Sequence, residues 1–335
     1  MPDSPESNNK ESSTFDPSIQ TENLAYSPDK MLACDSCKRQ NPPNRTNCLY
    51  CGRELAIKAV DLENTKLLTR SLEAWESGFN IILRSAAGTA RENTASISPD
   101  GSIDLGSMIE SQIPLPIARV ESLQLAEILA EKYHGLGLRC TIISDADLAA
   151  ERPPVRLSSI RITERNFEFI DFNARSVTEI PFAELALVVT GRLSQTRTEM
   201  LEKRRRKAET KVIDETATSA DESVLDIYTR SDTIGYRVYL AGFDFSCLGD
   251  RKGLLAGENM RRLAALLLDS AANARLIESY AKVRHLLDGI WEIESRTDPQ
   301  GLKRSGFGKV EFGKVVTSSN LQQFNKFSRM QWHLL

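Results

Sequence analysis

The chain is 335 residues long, and 43 Lys and Arg against 46 Asp and Glu leave a formal charge of −3 at pH 7. With 41% hydrophobic and 27% charged residues it has the composition of a folded globular protein with chain enough for more than one domain. No stretch reaches the roughly 18 apolar residues of a membrane-spanning helix, and residues 1–30 have neither a basic start nor an apolar run, so a cytoplasmic protein without a cleaved signal is expected. The near-neutral balance argues against a surface that coats nucleic acid throughout, and leaves local patches open.

Residues 1–30 carry six acids, Asp3, Glu6, Glu11, Asp16, Glu22 and Asp29, against two lysines, with Ser and Pro throughout. That is the composition of a disordered acidic leader. The next segment, 31–56, holds four of the six cysteines, Cys34, Cys37, Cys48 and Cys51, spaced as C-x2-C, ten residues, C-x2-C. Two residues between cysteines let one turn aim both thiolates at a common centre, and two such turns complete the tetrahedron that structural zinc prefers. Gly52 follows the second pair, where a missing Cβ eases the backbone amides toward sulfur, and Asn41-Pro42-Pro43 reads as the turn between the knuckles. Two disulfides would need an oxidising compartment, against the cytoplasmic expectation. One structural Zn2+ on four cysteines is expected, with no coordination position open for catalysis. Metal binding then supplies the folding energy of a segment too short to build a core.

Residues 34–55, CDSCKRQNPPNRTNCLYCGREL, resemble the short zinc ribbons at the front of many bacterial proteins. The spacing, with Asn41, is also similar to the Ran-binding-protein-type zinc finger, which has a Trp before its first Cys where this chain has Met31-Leu32-Ala33. The resemblance implies zinc and leaves function open, since such ribbons bind protein, RNA or nothing known.

Residues 62–150 have the pattern of a small α/β domain. A helix is expected over 62–75, a strand over 79–83, a polar loop or weak helix over 84–102 and a short helix over 105–111. A strand at 117–120 precedes Ser122, a candidate N-cap, and Leu125, Ile128, Leu129 and Tyr133 then form a helical apolar stripe ended by Gly135 and Gly137. A strand at 140–143 follows. The ending ARVESLQLAEILAEKYHGLGLRCTIIS is similar to the C-terminal domain of the bacterial ribosomal stalk protein and to small ferredoxin-like signalling domains, which implies a small α/β sandwich. Here that helix offers mainly Lys132 among Glu121, Glu127 and Glu131, so the stalk domain's basic face is not carried over.

Pro153-Pro154 marks an expected boundary, beyond which short strands are predicted at 157–163, 167–172, 177–182, 184–190, 224–229, 235–241 and 243–247. A helix follows, with Met260, Leu263, Ala264, Leu267 and Ala271 on one face. This gives a β-rich domain over 155–274 with a charged insertion at 192–222. An amphipathic helix over 275–297 carries Leu276, Tyr280, Val283, Leu287 and Ile290, and a basic, aromatic tail occupies 298–335. Seven strands closed by one helix resemble the pleckstrin-homology-like domains. The fold class expected is therefore multi-domain α+β: a zinc ribbon, a small α/β sandwich, and an antiparallel β domain closed by helices. As a whole the chain resembles a family of bacterial zinc-ribbon domain-containing proteins whose later parts carry stretches like its FDFSCLG and VVTSSN. That resemblance implies the layout and no activity.

Lys203, Arg204, Arg205, Arg206 and Lys207 form a basic cluster inside the insertion. It reads as an arm for RNA phosphates or an anionic membrane, or as a solvated stretch neutralised by Asp214, Glu215, Asp221 and Glu222; the latter is expected. The tail interleaves Phe307, Phe312, Phe324, Phe327 and Trp332 with Lys309, Lys314, Lys326 and Arg329, aromatics that read as packing anchors ahead of base-stacking groups. Gly308 to Lys314 nearly spells a P-loop, but Val315 stands where Ser or Thr should hold magnesium. None of His134, His285 and His333 lies in a metalloprotease motif, no nucleophile elbow occurs, and Cys140 and Cys247 read as buried structural thiols. No catalytic residue is assigned. The expected function is a non-enzymatic interaction or regulatory module docking a protein partner. RNA or ribosome association through the ribbon and the basic insertion is the alternative, and an enzyme with a dispersed site comes third.

Overall fold

The computed structural model describes residues 31–42, 47–53, 55, 72–73, 75–86, 103–205, 211–306 and 309–335, while for 202–205, 211–214, 302–306 and 309–312 it describes the backbone only. The expected leader, most of the helix expected over 62–75, and the stretch 87–102 lie outside these residues. The chain divides into two compact units, Met1–Leu68 and Thr69–Leu335. The first contains β1 (Leu32–Ala33) paired antiparallel with β2 (Gln40–Asn41).

In the second unit the α/β pattern becomes a three-stranded antiparallel sheet. Its middle strand is β3 (Phe79–Ala86), flanked by β4 (Leu115–Val120) and β5 (Leu138–Ser144). Helix α1 (Leu105–Ser111) precedes β4, and α2 (Leu123–Gly135) connects β4 to β5. Ser122 caps α2, its hydroxyl accepting from the Leu125 amide at 3.3 Å, and Leu125, Ala126 and Leu129 are buried. A short helix, α3 (Asp145–Leu148), follows β5.

Beyond Pro153-Pro154 come β6 (Val155–Ile162), β7 (Asn166–Asp171), β8 (Val177–Pro181), β9 (Leu185–Arg205), β10 (Lys211–Thr229) and β11 (Tyr236–Tyr239). Helix α4 (Ala256–Ser270) buries Met260, Leu263, Ala264 and Leu267 against Phe167, Phe169, Leu225, Ile227 and Val238. Three expectations change here. The sheet is not wholly antiparallel, because β11 pairs parallel to β6. Residues 243–247 are not a strand: Asp244 accepts from the Ser246 amide at 3.0 Å and starts a 3-10 helix, Phe245–Arg251, a local bond that competes with pairing. And 192–222 is not an insertion but the continuation of β9 and β10, which pair without a register shift from Asp214 to Tyr228.

The expected helix over 275–297 also breaks up. Its start is β12 (Arg275–Ile277), parallel to β9 at Leu187–Val189, its middle is α5 (Tyr280–Leu287), and its end already belongs to β13 (Glu294–Gly306). The free edge of β9 recruits Leu276 into the sheet, and an apolar stripe alone cannot distinguish that from a helix. The expected tail consists of β13, β14 (Lys309–Ser319) and α6 (Leu321–His333). The β13–β14 hairpin lies along the outer half of β9, so four strands, β13-β14-β9-β10, form a long arm beyond the core.

Helix α6 is buried nearly all round: Phe324, Phe327 and Met330 are fully inside, and so are Gln323, Asn325, Ser328 and Arg329. A helix buried on its polar face needs partners for every group. Asp226 on β10 accepts from Arg237 on β11 at 2.5 and 2.8 Å, and Arg237 also donates to Asn325 Oδ1 at 2.8 Å. Asn325 donates to the Ala150 carbonyl at 2.7 Å, Tyr228 to Ser328 at 2.8 Å, and Arg329 to the carbonyls of Leu148, Ala149 and Arg152. On the three-stranded sheet, Asp145 meets Arg119 at 2.7 Å, Lys326 of α6 at 3.4 Å, and the Asn80 amide at 2.9 Å, while Trp291 donates to Asn80 at 2.8 Å. These bonds tie both sheets to one helix, so the boundary expected at Pro153-Pro154 falls inside a single compact unit.

Burial pushes the Asp145 carboxyl up, but Lys326, Asn80 and Arg119 more than offset it and hold it below its ordinary range; burial also draws Lys326 down, against the pull of Asp145. The join contributed by Asp145 is therefore complete above the ordinary carboxylate range and lost as pH falls through the depressed value. Denaturant titrations from neutral pH into acid should show that loss in the native chain and a flatter acid limb in Asp145→Asn. Packing around α6 is equally tight at Gly191 of β9, where an added Cβ would overlap the buried Phe324 ring. Gly191→Ala is expected to cost about 1–3 kcal/mol in denaturant unfolding, as overpacking does.

Candidate metal centre

The two C-x2-C turns of the first unit have the same backbone. In the first, the Lys38 amide donates to the Cys34 carbonyl at 2.8 Å and the Cys34 amide to the Arg39 carbonyl at 3.0 Å. In the second, Gly52 donates to Cys48 at 2.9 Å and Cys48 to Arg53 at 2.8 Å. Each turn closes through a left-handed residue, Lys38 at φ 60° and Gly52 at φ 72°, so the second position uses a glycine while the first strains a lysine.

This repeat brings the four sulfurs together. Cys34 and Cys51 lie 3.6 Å apart, Cys37 and Cys48 3.5 Å apart, and all four ligand atoms fall within 4.8 Å of one another. A tetrahedron with metal–sulfur bonds of about 2.3 Å has edges of roughly 3.8 Å, so the set fits one tetrahedral ion. The four cysteines can hold a metal ion, and among the described residues no His, Asp or Glu joins the group.

Asn41 organises the centre. It lies in β2, fully buried, rather than in the turn that the sequence suggests. Its amide donates to the Arg39 carbonyl at 2.9 Å and to Cys48 Sγ at 3.5 Å, and its Oδ1 accepts from the Leu49 amide at 2.8 Å, so one side chain links both knuckles. Burial would raise the Cys48 thiol, but the amides of Tyr50 and Cys51, with Cys37 and Asn41, win and draw it down to about 6. At Cys37 the Arg39 amide pulls the thiol down, yet burial and the neighbouring sulfurs outweigh it and push the thiol up to about 11. Asn41→Ala should lower metal affinity about 10- to 100-fold, measured by competition with a chromophoric chelator, as removal of a ligand's hydrogen-bond partner does elsewhere.

On the outside of the second knuckle Leu49 and Tyr50 are 52% and 55% exposed, and the Arg39 guanidinium stacks over the Tyr50 ring at 4.7 Å.

The basic cluster takes a different place from the one its sequence suggests. Lys203, Arg204 and Arg205 are at the end of β9; Arg206 and Lys207 lie outside the described residues. Strand pairing sets Lys203 opposite Lys211 on one side and Glu311 on the other, with Lys303 beyond Glu311. Arg204 is opposite Val310, with Arg304 beyond it, and Arg205 is opposite Lys309. The near-P-loop residues from Lys309 onward are strand β14, with no helix to receive a phosphate. The dipeptide Lys303-Arg304 is visible in the sequence, but nothing there sets it beside residues a hundred positions earlier.

A cleft of about 290 Å³ opens beside α5, lined in part by Ser194, Thr196, Arg284 and Asp288, with Asn320 and Gln323 at its inner side. Both inner amides are fully engaged: Asn320 with the Ser194 amide, the Arg192 carbonyl and Tyr280, and Gln323 with Tyr280, Asp288 and the Trp291 carbonyl. Among known proteins, no family model, no curated protein and no solved structure matches this chain.

Proposed function

We propose that the chain is a non-enzymatic, cytoplasmic interaction module in which one structural Zn2+ on Cys34, Cys37, Cys48 and Cys51 presents a protein-docking surface. The observation that carries the reading is the exposed Leu49–Tyr50 pair, fixed in place by a closed set of four sulfurs. Arg39 stacks on Tyr50 and Arg53 follows it three residues on in the chain, so the partner it suits has an apolar socket with an acidic rim. Soft thiolates in a tetrahedron select zinc or iron, and a closed site without redox work favours zinc. The resemblance of residues 34–55 to zinc ribbons agrees with this. The order from β6 to β11 and then α4 is in keeping with a pleckstrin-homology-like portion, a fold that serves many docking roles.

The buried ionisable groups support a structural rather than catalytic use of polarity, since Asp226 pairs with Arg237, which reaches on to Asn325, and Asp145 pairs with Arg119 and Lys326. The test is affinity purification of the full chain with RNase, beside the Leu49→Ser/Tyr50→Ser variant and with metal content measured on both. A stoichiometric RNase-resistant partner that the variant loses while keeping one zinc per chain is the expected result. Recovery of no such partner, or its retention by the variant, overturns the reading.

A further inference from the structure

The charge that the sequence scatters over a hundred residues is gathered at the end of the arm. We propose that this end binds the phosphate backbone of single-stranded RNA, because strand register sets Lys203, Arg204 and Arg205 of β9 beside Lys211 of β10, Lys309 of β14 and Lys303 and Arg304 of β13. Three strand spacings of about 4.8 Å make the end roughly 15 Å across. Segments 202–211 and 302–311 hold nine basic against three acidic residues, in a chain whose overall charge is −3.

Of the four acids expected to neutralise the cluster, two are near it only in sequence. Asp221 and Glu222 pair with Ser194 and Leu193, roughly 30 Å down the ladder from Lys203. That is several Debye lengths, and Asp221 is already held by Arg192 at 2.9 Å. Asp214 and Glu215, opposite Leu201 and Met200, are nearer, about one Debye length back from Lys211.

Cations spread over four strands suit a chain of phosphates better than a single anion. The width exceeds the roughly 12 Å of a DNA major groove, and the RNA major groove is too narrow for side chains to read, which leaves the single strand. Arg204, Arg205 and Arg304 belong to the residue type that grips phosphate in bidentate fashion and also stacks on bases, and the same segment carries Phe307.

The test is fluorescence anisotropy of the full chain with labelled oligouridine across a salt series. Affinity should fall with a log–log slope near −3, as expected when about four phosphates are neutralised on a single strand. Lys303→Ser/Arg304→Ser and Arg204→Ser/Arg205→Ser should each lose about tenfold or more and flatten the slope, whereas the same charge removed from α5 by Lys282→Ser/Arg284→Ser should not. Unchanged thermal unfolding of the variants keeps the comparison valid. Binding that ignores salt, or that survives Lys303→Ser/Arg304→Ser, overturns the proposal. So does a preference for phosphatidylserine vesicles that oligouridine cannot displace. The inference goes beyond protein docking and stands apart from it, since Leu49→Ser/Tyr50→Ser should bind oligouridine as the parent chain does.

Discussion

Cys48→Ser is expected to abolish stoichiometric metal binding and to unfold the segment from Met31 to Leu55. Its described core is only Cys34, Cys48 and Leu55, with Cys37 packed against them. Two two-residue strands and a core of this size cannot offset the conformational entropy of ordering some two dozen residues. Metal ligation, worth about 10–16 kcal/mol in zinc-finger peptides, must supply the difference. Cys48 Sγ accepts from the Tyr50 amide at 3.4 Å and from the Asn41 side chain at 3.5 Å, so its loss removes both a thiolate and the anchor between the knuckles. Atomic emission on anaerobically purified protein should read about one zinc in the parent chain and none in the variant. Proteolysis should then cut the variant between residues 31 and 55 while leaving Thr69–Leu335 intact, because the latter is a separate compact unit. Retained metal in the variant would show that the other three cysteines suffice.

Asp226→Ala is expected to destabilise the second unit by about 3–5 kcal/mol, the usual cost of stranding a buried charge. Both members of the Asp226–Arg237 pair are 1% exposed, and Arg237 reaches on to Asn325 of α6. Burial alone would lower the Arg237 pKa, but Asp226 more than offsets that and raises it, so the guanidinium does not escape by losing its proton. The variant leaves a cation inside the protein and takes the register of α6 with it. Urea unfolding followed by tryptophan fluorescence reports the change, since Trp291 is buried among the same joins. Replacing both partners by apolar residues, Asp226→Leu with Arg237→Met, should cost much less than either single change. An equal loss would mean that the pair contributes by attraction rather than by mutual satisfaction.

The parts of the chain that were legible in advance are those whose signal is local. The cysteine spacing assembles four sulfurs because each C-x2-C turn is made by six or seven consecutive residues. Ser122 with its stripe, and Met260 with Leu263, Ala264 and Leu267, mark helices because a cap and a 3.6-residue period need no distant partner. Asn41 was readable as present but not as placed, since Asn before two prolines signals a turn as readily as a ligand partner. Residues 275–277 carry an apolar pattern that suits a helix until β9 offers an edge.

Sequence by itself determined the four cysteines that can hold a metal, the helices Leu123–Gly135 and Ala256–Ser270 and most strands of the β region, whose signals of spacing, capping and periodicity lie within a few consecutive residues. Tertiary structure alone decided that Leu321–His333 forms a central helix instead of a tail, because Arg237, Tyr228 and Ala150 give its Asn325 and Ser328 partners from far away in the chain. It alone decided, too, that Lys203 and Lys303 share one end of an arm, because pairing register is fixed by the whole ladder and is not encoded in either segment.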